Sequence, residues 1–166
     1  PHYDHRQSFM SSNGFSDFVW PDDFTYQTFR TRLGWCDGDM FNTAHEYLTK
    51  HTAEGPVFAA LLTLSLHRPY LIPDVGVESP YPDSPHAEHF RAVRYVDWAI
   101  GQFIEKARKS DYFDNTIFLF TADSCGGILS KSQRHTIYRI PLVIYAPAIL
   151  KNEGRRISTV CSRTDI

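Results

Sequence analysis

The sequence predicts an α/β fold with three layers, in which helices cover both faces of a mainly parallel central sheet. Three apolar runs, at 57–66, 116–122 and 142–146, lack the polar–apolar alternation of half-exposed strands. Continuous runs of this length are typical of strands that are covered on both faces. A helical pattern lies between the first two runs, so strand, helix and strand follow one another as in a βαβ unit. Buried helices are the weaker interpretation, because the runs are short, rich in β-branched and aromatic residues, and bounded by turn residues.

Three helices are predicted from apolar periodicity and end signals. The first spans 6–12 and ends at an Asn-Gly pair, a common C-terminal signal. The second spans 38–50 and is capped by Asp37. The third begins at Ser84 and Pro85, since proline is favoured at the first helical position. The side chains expected to face inward are Phe41, Ala44, Tyr47 and Leu48 on the second helix, and Val93, Val96, Ile100, Phe103, Ile104 and Ala107 on the third.

The composition is that of one globular domain. The 166 residues carry 17 Lys+Arg against 19 Asp+Glu, a net charge of −2, with 42% hydrophobic and 14% aromatic residues. Low charge and high aromatic content exclude a disordered chain, and the absence of excess Lys and Arg argues against binding to nucleic acid. No run approaches the ~20 apolar residues of a membrane span. The three cysteines, Cys36, Cys125 and Cys161, fit neither a zinc pattern nor a disulfide framework.

Polar side chains follow the first two apolar runs. His67 and Arg68 come after the first run, and Asp123 and Ser124 after the second. Ligands of open α/β sheets bind at the carboxyl ends of strands. Arginine offers a fork of donors to phosphate or sulfate oxygens, imidazole can donate to such an oxygen or bind a metal, and a carboxylate is a hard ligand for a divalent cation. The alternative is that the aspartate only caps the turn after its strand.

The step Thr-Ala-Asp at 121–123, after a strand and before a glycine-containing loop, resembles that of sulfatases and of the alkaline phosphatase superfamily. The lipoteichoic acid synthase-like branch is the most similar. Further segments that resemble this branch, in the same order, lie at 3–5 with 13–15, 34–41, 62–70, 92–99, 112–116, 138–147 and 158–166. The resemblance implies the C-terminal half of a sulfatase-like catalytic domain, with residues 1–166 as one partial domain. The start at Pro1, without Met, fits this expectation of a fragment.

The resemblance also implies a metal site. In the family a divalent metal (manganese, zinc or calcium here) lies among an acidic residue, a Thr or Ser nucleophile and an adjacent Asp-His pair. The Asp corresponds to Asp123 and the His to Ser124, which departs from the family pattern. A hydroxyl is a poorer ligand than imidazole for such a metal, so we expect weak or absent metal binding in this chain. His135 is a less favoured replacement ligand, and Ser124 is not expected to be a nucleophile.

Substrate contacts are implied in the same way. His67 corresponds to a family histidine that contacts the transferred phosphoryl or sulfuryl group. Arg68 either joins it in substrate binding or anchors the loop. Asp4 and His5 lie either at the rim of the substrate pocket or at a helix cap.

The function implied is that of a fragment of a metal-dependent phosphoric or sulfuric ester hydrolase or transferase, including phosphoglycerol- or phosphoethanolamine-type transfer, inactive alone. The alternative is a non-catalytic relative that binds partners through a degraded metal site. An unrelated flavodoxin-like module is disfavoured, because no glycine-rich phosphate loop follows a first strand. The resemblance places the domain on the periplasmic or extracellular face of the membrane, which it reaches only through segments outside this chain. We also expect self-association, through apolar surface at Phe118, Phe120 or Leu142 on an uncovered sheet edge.

Overall fold

The computed structural model describes residues 5–123, 139–151 and 154–162. The chain divides into two compact units, residues 1–112 and 113–166, and each is described by itself. The first contains α1 (Arg6–Ser12), α2 (Asp37–His51) and α3 (Ala87–Ala107). The second contains β1 (Phe118–Thr121), β2 (Leu142–Tyr145) and α4 (Pro147–Leu150). Short 3₁₀ turns lie at Pro21–Asp23 and Phe113–Asn115. That residues 1–166 make one partial domain stays a prediction.

The core of the first unit lies where α2 packs on α3. Phe41 and Phe103 stack there with ring centroids 5.3 Å apart. The buried face of α3 consists of Ala92, Tyr95, Val96, Ala99, Phe103 and Ala107, which recur at helical spacing. Val93, predicted to face inward, is 42% exposed, because the buried stripe passes through its neighbour Ala92.

The helix boundaries agree with the prediction except at the start of α3 and in the capping of α2. The predicted helix at 6–12 is confirmed. The helix α3 begins at Ala87, since Ser84 accepts a backbone hydrogen bond from Ala87 and forms a turn before it. The prediction that Asp37 caps α2 is wrong: Asp37 is the first helical residue, and the residue before it makes no side-chain capping bond.

The first apolar run forms no strand. Residues 57–64 belong to no helix or strand and have no ladder partner among the described residues, and Phe58 is 79% exposed. A strand requires a neighbour along its backbone as well as apolar side chains. The described residues supply no such neighbour, so the predicted strand at 57–66 is wrong for this chain.

The other two runs form a two-stranded antiparallel sheet, with Phe118 opposite Tyr145 and Thr121 opposite Leu142. The sequence predicted mainly parallel pairing, and within the described residues this pair runs the other way. Phe118 is buried beside Phe113 and Tyr145, so its predicted exposure is wrong. Leu142, Val143 and Ile144 are exposed. The expectation that both faces of these strands are covered is therefore not met by the described residues.

Candidate functional site

The predicted substrate residues His67 and Arg68 lie on a tight double turn, residues 64–70, which we call the His67 turn. The His67 N–H donates to the Leu64 carbonyl at 3.0 Å, and the Tyr70 N–H donates to the His67 carbonyl at 2.8 Å. The Arg68–Pro69 peptide is cis, and Tyr70 has a left-handed φ of 64°. His67 and Arg68 are exposed. The turn thus presents an imidazole and a guanidinium together to solvent.

Aromatic contacts join the far end of the His67 turn to α3. The Arg68 guanidinium carbon lies 5.8 Å from the Tyr70 ring centroid, within the range of cation–π attraction. The Tyr70 ring meets the His89 ring edge-on, with centroids 4.9 Å apart. Burial lowers the pKa of His89, and the charges of His86 and Arg68 act in the same direction. His89 is therefore a neutral imidazole at neutral pH, and Arg68 is the cation at this end of the turn, where its guanidinium suits an anionic ligand.

The near end of the His67 turn is held by the carboxylate of Asp37, which the sequence predicts as the cap of α2. Asp37 is 1% exposed. Its Oδ1 accepts hydrogen bonds from the Leu64 N–H at 2.7 Å and the Ser65 N–H at 3.1 Å. In return, the Asp37 N–H donates to Ser65 Oγ at 3.2 Å. One sequence feature could have indicated this role. Two aspartates, Asp37 and Asp39, stand at the start of α2, whereas a helix cap needs only one carboxylate.

Burial disfavours the charged form of Asp37, and its neighbours only partly offset this effect. Burial raises the pKa of the Asp37 carboxyl, while the Leu64 and Ser65 N–H groups and the charge of His67 act to lower it. The second oxygen, Oδ2, is buried and has no hydrogen-bond partner within the described part of the chain. A buried carboxylate oxygen left in this state carries a desolvation cost.

The predicted metal residues fall in the second unit. Asp123 is exposed just beyond the end of β1. At that end, Thr121 Oγ1 donates to the Pro141 carbonyl at 3.0 Å and ties the strand to the segment before β2. Ser124 and His135 lie outside the described residues, as does Asp4. His5 is exposed in a left-handed conformation, with a φ of 51°, and makes no side-chain capping bond at the start of α1.

The donor set of the described residues does not by itself fit a metal ion. Among residues 5–123, 139–151 and 154–162, no three or more His, Cys, Asp or Glu side chains are placed so that they could hold one. Protein metal sites usually take several such ligands at once. Asp123 supplies one carboxylate. The roles of His67, Arg68, Asp123 and Ser124 therefore stay predictions.

Comparison with known proteins decides the family. The Sulfatase family model matches residues 2–166. The chain belongs to the Sulfatase family. This confirms the resemblance found in the sequence, and it extends over nearly the whole chain.

Individual relatives agree with this assignment. The chain is 27% identical over 97 residues to a lipoteichoic acid synthase of Staphylococcus saprophyticus, covering 57% of this chain and 15% of that protein. A crystal structure of an alkaline phosphatase superfamily protein from Vibrio parahaemolyticus is similar, with a TM-score of 0.77 and 32% identity over 87% of this chain. The fold alone is shared with the lipoteichoic acid synthase LtaP of Listeria monocytogenes, with a TM-score of 0.68 and 24% identity over 84% of this chain.

These similarities confirm the predicted fold class, an α/β fold of the alkaline phosphatase superfamily. The chain spans 35% and 39% of the two similar structures and 15% of the similar synthase. Among the described residues, no helix combines the length and apolar character that crossing a bilayer requires.

Proposed function

We propose that this Sulfatase-family chain is part of a metal-dependent hydrolase or transferase of phosphoric or sulfuric esters. The observation that carries the proposal is the exposed pair His67 and Arg68 on a structured turn. Imidazole N–H and guanidinium donors suit the non-bridging oxygens of a phosphoryl or sulfuryl group. The similarity to a lipoteichoic acid synthase of Staphylococcus saprophyticus is in keeping with the phosphoglycerol-type ester that the family resemblance implies.

Each predicted residue has a separate role in this proposal. His67 and Arg68 bind the ester and stabilise the charge that develops on its oxygens. Asp123, with Ser124 beside it, provides the acidic side of the metal site. A nucleophile and a further acidic ligand, which the family resemblance implies, belong to the part of the relatives that this chain does not span. The chain is therefore proposed to be inactive alone and to act at the periplasmic or extracellular face of the membrane.

Calorimetric titration of the complete protein with Mn²⁺ or Zn²⁺, alongside hydrolysis of an aryl phosphate and an aryl sulfate, tests this function. We expect metal-dependent release of the aryl alcohol from one ester, and its loss in a His67→Gln variant. Metal-independent hydrolysis, or a full rate in His67→Gln, would contradict the proposal.

A second function is favoured by one residue. Ser124 stands beside Asp123 where the family pattern has histidine, and a neutral hydroxyl binds transition metals less well than imidazole. A non-catalytic Sulfatase-family module that binds partners would have such a site. Failure of the complete protein to bind metal tightly, together with no ester hydrolysis, would favour this alternative.

Restoring the imidazole should restore metal affinity. We expect Ser124→His to tighten Mn²⁺ binding about tenfold or more, the equivalent of about 1.4 kcal/mol, because a nitrogen ligand is added next to the Asp123 carboxylate. Isothermal titration calorimetry of the two forms measures the change. In the control, Asp123→Asn in the Ser124→His background, the gain should disappear. Equal affinity in wild type and Ser124→His would show that position 124 does not face the metal.

The exposed apolar side chains of β2 lead to a prediction about assembly. Val143 is 52% exposed on a sheet that has two strands within the described residues, and exposed apolar strands tend to pair with other copies. We expect the sedimentation coefficient of the chain to rise with concentration. Val143→Lys should reduce this rise, because a charge on the strand opposes pairing. A single monomeric species of the wild type at all concentrations would contradict self-association.

A further inference from the structure

The backbone of Leu64 connects the buried Asp37 to the predicted ester-binding histidine. Its N–H donates to Asp37 Oδ1 at 2.7 Å, and its carbonyl accepts the N–H of His67 at 3.0 Å. Two hydrogen bonds and one residue thus separate the carboxylate from the backbone of His67. The next residue, Ser65, is bonded to Asp37 in both directions, as donor through its N–H and as acceptor through its Oγ.

The turn is therefore held at both ends by the two main helices of the first unit. Asp37, the first residue of α2, holds Leu64 and Ser65, while His89 of α3 meets Tyr70 at the other end. Between these ends, His67 and Arg68 are exposed. A turn that is fixed at both ends keeps its exposed side chains in a narrow range of positions, which favours binding by lowering the entropy cost.

Among the described residues, the hydrogen bonds of the Asp37 carboxylate go to the His67 turn and not to α2 itself. A capping side chain bonds to N–H groups in its own first turn, whereas the Asp37 carboxylate bonds to residues 27 and 28 positions later in the chain. Its position inside the protein, with Oδ2 unpartnered among the described residues, costs free energy. The hydrogen bonds that the carboxylate accepts from Leu64 and Ser65 offset part of this cost, and they fix the geometry of the His67 turn.

We propose that Asp37 is a positioning residue, which sets the place of His67 through the backbone of Leu64 and Ser65. The proposal rests on the function proposed above, in which His67 and Arg68 bind an anionic ester. Asp37 would not touch the substrate. Its removal should loosen the turn and weaken anion binding, while the side chains that bind the anion remain.

Asp39 provides a matched control. It is buried, lies on the same turn of α2, and accepts backbone N–H groups in the same way, from Thr28 at 2.9 Å and Phe29 at 3.1 Å. It also accepts the Thr28 hydroxyl at 2.8 Å. Both aspartates therefore hold a distant segment against α2, but only Asp37 holds the His67 turn. Loss of stability alone should be common to variants at both positions.

The test uses nuclear magnetic resonance on the intact chain as wild type, Asp37→Ala, Asp37→Asn and Asp39→Ala. Amide exchange at His67 and Tyr70 is measured relative to Val96 in the core of α3, so that global unfolding cancels. Inorganic phosphate, and inorganic sulfate in a separate titration, serve as probes, and the ring signal of His67 reports binding. A His67→Gln variant identifies that signal.

In Asp37→Ala we expect relative exchange at His67 and Tyr70 to rise about tenfold, and anion affinity to fall about tenfold, which is the size of effect that supporting residues have on a binding site. Asp37→Asn should restore most of the protection from exchange and most of the anion affinity, because its amide oxygen can accept the hydrogen bonds of the Leu64 and Ser65 N–H groups. Asp39→Ala should match the wild type in both measurements. If Asp37→Ala does not fold, Ser65→Ala takes its place in the test. This variant removes the bond from the Asp37 N–H to Ser65 Oγ, one of the three hydrogen bonds between Asp37 and the turn, and should speed exchange of the same amides.

The measurements distinguish failure of the proposed ester-binding function from failure of the positioning role of Asp37. If neither phosphate nor sulfate moves the His67 signal in the wild type, the proposed ester-binding function fails, while the exchange ratios still decide the role of Asp37. If Asp37→Ala leaves the relative exchange of His67 unchanged, or Asp39→Ala raises it equally, the positioning role is overturned.

Discussion

Replacing Phe103 with alanine is expected to lower the free energy of unfolding by about 3–5 kcal/mol. Phe103 is 4% exposed and stacks on Phe41 where α3 packs on α2. Its neighbours on the buried face of α3 include Ala99 and Ala107. Alanine side chains cannot extend into the space that the ring would leave. Most of the cavity should therefore persist, and its cost adds to the lost burial of the ring.

Equilibrium urea unfolding followed by circular dichroism measures this change. Val93→Ala on the same helix is the control, because Val93 is exposed, and surface substitutions of this kind usually change stability by no more than about 0.5 kcal/mol. A loss of the same size in both variants would show that the contact between α2 and α3 does not hold the first unit together.

Removing only the hydroxyl of Tyr95 is expected to cost about 1–3 kcal/mol. This buried oxygen accepts the Gly38 N–H at 3.0 Å, one of the N–H groups at the start of α2 that have no partner within the helix. In Tyr95→Phe the ring still stacks against Trp98, so the loss reports the hydrogen bonds of the hydroxyl, with the Gly38 N–H and with the Cys36 side chain. Gly38 permits the close approach, since a Cβ at that position would lie 3.0 Å from the hydroxyl oxygen.

The same unfolding measurement tests this prediction. Tyr81→Phe serves as the control, because Tyr81 is exposed and its ring packs only against Phe90 in the contacts seen for it. We expect its free energy of unfolding to match that of the wild type. An unchanged stability in Tyr95→Phe would mean that water replaces the lost acceptor, and that the hydroxyl is not the cap of α2.

Burial of Tyr95 also affects its titration. Burial raises the pKa of the Tyr95 hydroxyl above its ordinary value. The group therefore stays protonated at neutral pH and is free to accept from Gly38 while keeping its own proton. Cys36, the residue just before α2, is buried as well, and burial raises the pKa of its thiol. These two groups act at the α2–α3 contact as neutral side chains.

The helices and the strands β1 and β2 follow from local patterns in the sequence. The Asn-Gly end signal predicted α1 as observed, and apolar spacing predicted α2 to within one residue at each end, because helical hydrogen bonds join residues four apart. The runs that contain β1 and β2 were likewise recognised from their composition. The run at 57–66 shows the limit, since its apolar residues met the same criteria and formed no ladder. Pairing depends on a partner strand, which composition alone does not reveal.

The same division applies to the candidate site. The order of short motifs along the chain was enough to identify the family, and it singled out His67 and Arg68, which the structure places on an exposed turn. What Asp37 bonds to, which oxygen caps α2, and the antiparallel direction of β1 and β2 came only from the folded chain. Each of these depends on groups more than 20 residues apart in the sequence. Such contacts are decided by how helices and strands pack, whereas periodicity describes only neighbours along the chain.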